Sequence, residues 1–335
     1  MSIFWYVVNR NKKWLWALML IVFLGALETI LLQVLYKFVG FTIDYGLGYN
    51  GTPYKGIWSF LFGGTFGDYG TLQLVTTLAI AIVLCALIAY TSNLLSNFTQ
   101  CVVGQKLANI YRWEIFTKTK GKKLKMSCGD YLVFLQEDIY KPGNVFVTNF
   151  SGIVVNVISI IISCLMLGEI SPILLIAPLC SLPAIAIFGT MYRKAIFKAH
   201  HGFRSVDGKL RQTIADIFEA DNRKKVDTFD KLNVNHTRKR KILSSVSNKY
   251  ETILNAIKFA IYIISCTIAG LLVIHGKILI GEYIIFTGFI STIFSQMLSI
   301  VSKTADFKAQ CARINRVKAF MENLDKEQLE VANEK

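Results

Sequence analysis

Apolar residues in this chain fall in runs of about 20, the length a helix needs to cross a hydrocarbon core of about 30 Å. Such runs lie near 14–38, 72–97, 145–167, 171–192, 252–274 and 280–302. The fourth is atypical, because Pro172, Pro178 and Pro183 fall within it. Proline is tolerated in membrane helices where neighbours re-satisfy the freed backbone groups. No proline follows Pro183, which favours long uninterrupted helices in the second half.

The segments between the runs keep a helical period. Val103, Leu107, Ile110, Tyr111 and Phe116 recur near helical spacing after the second run. Phe203, Val206, Leu210, Ile214, Ile217 and Phe218 do the same after the fourth. A helix over 71–119 would be about 70 Å long, against a hydrocarbon core of about 30 Å. Membrane helices are therefore expected to project some tens of Å into the cytoplasm as two hairpins, at about 99–148 and 190–252. The predicted fold is an all-α membrane protein with six transmembrane helices and long cytoplasmic helical extensions. Residues 1–325 form one six-span domain in this reading, and 326–335 a polar tail.

Composition agrees with that pattern. Of 335 residues, 53% are hydrophobic and 18% charged, with a mean hydropathy of +0.45; soluble domains carry about 25% charge. Disorder, a disulfide scaffold and a DNA-binding domain are all disfavoured. The net charge of +15 would suit nucleic acid, but its placement is topological. The N-terminal arm, segments 103–141 and 193–249, and the tail from Lys303 hold 33 of the 37 Lys and Arg residues, all on one side of a six-helix threading. The opposite side holds only Lys55 in 39–71 and Lys277 in a tight turn. The positive-inside rule then places both termini in the cytoplasm. The 27 Lys against 10 Arg point to an AT-rich bacterial genome and a plasma-membrane location.

Catalytic signatures are missing. Seven cysteines are scattered without CxxC spacing and read as small buried hydrophobes. His200, His201, His236 and His275 form no HExxH and read as residues of solvated basic helices. Gly270 to Ile278 looks superficially like a phosphate loop, but its glycines are one residue too far apart and no Ser or Thr follows Lys277. No metal site is expected.

Three stretches carry a family resemblance. Gly104, Gln105, Leu107, Arg112, Ile115 and Phe116 are the first; Gly129, Asp130, Leu132, Leu135, Asp138 and Ile139 the second. Gly276, Gly281 and Phe286, closed by Arg316, Val317, Phe320 and Met321, are the third. In this order and spacing they resemble the transmembrane domain of ABC exporters, over roughly residues 10–325. The resemblance implies a permease subunit that dimerises with a second transmembrane domain and moves a peptide, lipid or amphipathic small molecule by alternating access. ATP and magnesium would be held by a partner ATPase, either a separate subunit or a fused nucleotide-binding domain absent here, since no phosphate loop or signature motif occurs in this sequence. The alternative is a non-transporting scaffold, such as an immunity or maturation-complex subunit, that kept the fold. Its basis is that both inner turns depart from the family pattern, the first being short and basic and the second lacking its glycine. No nucleic-acid partner is expected.

Two sets of residues follow. The inner turns would contact the ATPase through Lys120, Lys122, Lys123, Leu124 and Met126, and through Asp221, Arg223, Lys224 and Phe229. Glu28 and Lys258 are ionisable groups inside apolar runs, where such groups normally face protein or water. They are expected to line one cavity at different depths, with Asn93 and Asn97, Asn149 and Asn156, and Asn255 and Tyr262 on shared helix faces.

Overall fold

A segment that crosses lipid must satisfy its backbone groups internally, and the apolar runs accordingly fold as helices. The computed structural model describes residues 13–46, 71–120, 131, 134–135, 140–220 and 226–333. Its long helices are α1 (Lys13–Gly46), α2 (Thr71–Thr119), α3 (Tyr140–Ile170), α4 (Ile176–Ala220), α5 (Val226–Ile274) and α6 (Ile280–Asn333). Among the described residues there is no strand. The 49 residues of α2 and the 54 of α6 correspond to about 74 and 81 Å of helix, well over twice a hydrocarbon core of about 30 Å.

Among the described residues, five helices are long and apolar enough to cross a membrane: α1, α2, α3, α5 and α6. The fourth predicted run is different. Ser171 is extended, Pro172 opens a 3₁₀ turn over Pro172–Leu175, and α4 follows with Pro183 inside it. Among the described residues its apolar stretch covers only Pro172–Ser181. Proline at the first helical position suits the turn, because its missing N–H would have had no partner there.

Helix α6 is the centre of the packing. Ile285, Phe286, Phe289, Ile290, Ile293 and Phe294 are fully buried, and Leu167, Leu174, Ile185 and Ala269 of neighbouring elements close round them. Helices α1, α2 and α3 pack on one another, and α6 joins them against α1 and α3. Helices α4 and α5 pack chiefly on each other and reach the rest through α6. By contrast Ile80, Val83, Leu84, Leu87 and Leu94 of α2 are exposed, as expected of a face turned to lipid or a second membrane domain.

The α5–α6 turn is tight because Gly276 takes φ 65°. Lys277 N–H bonds Leu272 O at 2.9 Å and Gly276 N–H bonds Val273 O at 2.9 Å, a Schellman closure that only glycine enters without strain. The Glu282 carboxylate then accepts Leu279 N–H at 2.8 Å and caps α6. Beside it Gly281 N–H donates to Asp44 Oδ1 at 2.6 Å, where α1 and α6 touch backbone to backbone through Gly40 and Gly281.

The far ends of the helices also meet. Ile115 of α2, Phe134, Leu135 and Val317 of α6 form a small core, and the Phe134 and Phe320 rings lie 4.7 Å apart. Thr119 and Tyr131 share a hydrogen bond across the first inner turn. Between α4 and α5, His236 Nε2 contacts Asp207 Oδ1 at 3.1 Å and its ring lies 4.9 Å from Phe203. His236 is thus a half-buried interhelical contact rather than a solvated surface group.

Candidate functional site

Polar residues at helical spacing on four helices face a common space. On α2, Asn93, Ser96, Asn97 and Gln100 stand three or four positions apart, so they form one stripe. Glu28, Thr29, Gln33 and Tyr36 come from α1, Gly152 and Asn156 from α3, and Thr292, Gln296 and Lys303 from α6. Together they line a cavity of about 230 Å³.

Most of its polar groups are tied to each other. Asn93 donates from its amide to the Glu28 carboxylate, and Asn97 donates to Asn93 in turn. Gln33 donates to Ser163 Oγ at 2.7 Å and Ser159 O at 3.2 Å, joining α1 to α3. Ser96 Oγ donates to Ile21 O at 3.3 Å. These bonds leave specific groups over: among the described residues, buried Gln33 Oε1 and Asn156 Nδ2 have no partner. The end of the Lys303 side chain lies against Gly152, where an added Cβ would collide with the ammonium Nζ and come within 2.8 Å of Cε. The missing side chain at Gly152 is therefore what leaves room for the ammonium at the cavity wall.

The lining combines one carboxylate, one ammonium and several amides, which suits holding a polar group by complementary hydrogen bonds. Among the described residues no group of three or more His, Cys, Asp or Glu could hold a metal ion.

Of the residues picked out in the sequence, Glu28, Asn93, Asn97 and Asn156 meet here. Asn149 sits one step away, buried, its amide donating to Lys303 O at 3.3 Å. Lys258, expected beside Glu28, is not in the lining of this cavity. Lys258 donates to Ser295 Oγ of α6 at 3.0 Å, and neither Asn255 nor Tyr262 lines the cavity. The reason is packing: α5 lies chiefly against α4 and α6 rather than α1, so Lys258 meets α6 instead. For the inner turns, Lys120 is exposed just beyond α2, and Phe229 is half-buried in the first turn of α5. Lys122, Lys123, Leu124, Met126, Asp221, Arg223 and Lys224 lie outside the described residues.

Several groups were not singled out from the sequence. Lys303 reads as the first cation of the tail, although it stands next to the end of an apolar run. Gln33, Gln100 and Gln296 are neutral and draw no notice singly; the unbroken three- and four-residue spacing from Asn93 to Gln100 is the signal that finds that stripe. Lys37, at the end of the first apolar run, is 3% exposed and pairs with Glu169 of α3 at 2.7 Å.

A family model described as ABC transporter transmembrane region matches residues 15–201. No curated protein matches the chain.

Proposed function

The chain belongs to the ABC transporter transmembrane family, and from that premise we propose that it is the permease subunit of an ATP-driven exporter whose ATPase is a separate chain. It is a multi-pass membrane protein and the membrane component of a transporter. The finer reading rests on one observation above all. Helices α2, α4, α5 and α6 run far beyond a bilayer's thickness, α3 packs back on α2 and α5 on α4, and the two turns that join these pairs fall at the far ends. Stiff helices of that length act as levers: a small movement at their far ends becomes a rotation within the bilayer. The proposed partner ATPase binds ATP and magnesium, grips those two turns, and swings the polar cavity from one face of the membrane to the other. A second transmembrane domain completes the translocation path, and its contacts cover exposed apolar faces such as that of α2. A cavity that sets Leu32 and Val155 beside a polar stripe fits a peptide, a lipid or an amphipathic small molecule.

Purification of the tagged chain from membranes of its native host tests this reading. An ATPase should co-purify, and its loss should follow the double charge reversal Lys122→Glu and Lys123→Glu at the first inner turn. A chain that purifies without any ATPase, and whose host membranes show no change in ATP hydrolysis on its deletion, would favour the scaffold instead.

A further inference from the structure

Lys303 is the one cation lining the cavity, and among the described residues its ammonium makes no ion pair or hydrogen bond. Removing an ammonium from water without a partner costs several kcal/mol, so an unpaired cation at such a place calls for an anion. The only carboxylate in the lining, Glu28, sits on α1 and is held by Asn93. A second donor points the same way. Asn156, 5% exposed, has its Nδ2 unmatched. Gly152, against which the Lys303 ammonium lies, and Asn156 are one helical turn apart on α3, a rise of about 6 Å. The ammonium and the unmatched, occluded Asn156 amide one turn away on the same wall supply two donors for a group with two or three acceptor oxygens once that amide turns toward the cavity. The other wall offers the unmatched acceptor Gln33 Oε1, suited to a hydroxyl or N–H elsewhere on the same ligand.

We propose that Lys303 and Asn156 form a subsite for an oxyacid group, carboxylate or phosphate, of the molecule the cavity carries. The proposal rests on reading this cavity as the substrate site, and narrows the substrate to anionic amphiphiles. Lys303 supplies the charge and Asn156 the second hydrogen bond, while Glu28 opposes a second negative group deeper in the site.

The test uses the full chain in a neutral maltoside detergent, with dodecyl phosphate, dodecanol and inorganic phosphate as probes and direct binding as readout. Dodecyl phosphate should bind saturably, and Lys303→Met should weaken it about tenfold or more, as expected for loss of a charge-assisted contact. Asn156→Leu should weaken it less, Lys303→Arg should retain binding, and Lys258→Met, outside the cavity, should leave it unchanged. Displacement by inorganic phosphate identifies the oxyacid alone as what is read. Absence of displacement, with dodecyl phosphate still sensitive to Lys303, identifies the headgroup of a bound amphiphile. Equal binding by wild type and Lys303→Met would overturn the proposal, as would equal binding of dodecanol and dodecyl phosphate. The assay needs no ATPase, so its failure leaves the subunit assignment standing, and loss of ATPase coupling with binding intact fails only that assignment.

Discussion

Replacing Gly281 by alanine should destabilise the packing of α1 on α6 while leaving each helix intact. A Cβ there would collide with the Gly40 carbonyl oxygen and lie 2.5 Å from Asp44 Cγ. Ordinary contact begins at 3.4 Å, so the helices must part by about 1 Å or the Asp44 side chain must leave. Overpacking of this kind costs about 1–3 kcal/mol. Loss of the bond from Gly281 N–H to the Asp44 carboxylate, now 2.6 Å, adds about 1.5–3 kcal/mol for a charged acceptor. Alanine returns up to about 1 kcal/mol of helix propensity, leaving a net loss of about 2–5 kcal/mol. Equilibrium denaturation in mixed detergent micelles measures it. Gly270→Ala is the control, since nothing lies within 4 Å of a Cβ there and only the propensity gain should appear. Gly40→Ala should also destabilise, with a Cβ 2.7 Å from Gly281 O. The double variant should fall short of the sum, because both changes separate the same pair of helices. Gly281→Ala matching Gly270→Ala in stability would refute the close-approach argument.

Three further outcomes follow. Glu28→Gln should alter substrate-stimulated ATPase activity or export without changing expression, and wild-type behaviour of both Gln and Leu at position 28 would remove Glu28 from the cavity's function. Glu169→Leu should be more destabilising than the double change with Lys37→Met, because the single variant takes Glu169 away from a buried ammonium while Lys37→Met leaves only a half-exposed carboxylate; unfolding of the single and double variants measures the difference. Impermeant thiol reagents should modify Cys128 and Cys311 only after cells are opened, and labelling of either from outside would invert the topology.

The helices were legible because two signals overlap in them. Apolar runs of spanning length mark the membrane parts, and continued 3.6-residue spacing after Asn97 and Phe203 marks the extensions. The bounds of α2 match the expected 71–119 for that reason. Where proline interrupts the pattern, periodicity no longer separates a turn from a helix, and the fourth run opens as a 3₁₀ turn. The site was legible only within helices. Spacing puts Asn93 beside Asn97, but nothing local says that α5 faces α4 rather than α1. Lys258 was therefore grouped with Glu28 although the packing of α5 separates them. Lys303 went unread for a related reason: its role depends on Gly152, on a helix 151 positions earlier in the chain.

Access to the cavity tests the account most directly. In a chain whose native cysteines are replaced by alanine, Asn97→Cys places a thiol in the cavity lining. With the partner ATPase assembled, the labelling rate from the cytoplasmic face should fall about tenfold on adding ATP and vanadate, as expected when a two-state element shifts by roughly 1.4 kcal/mol or more. An unchanged rate in an assembly that hydrolyses ATP would contradict alternating access through this site.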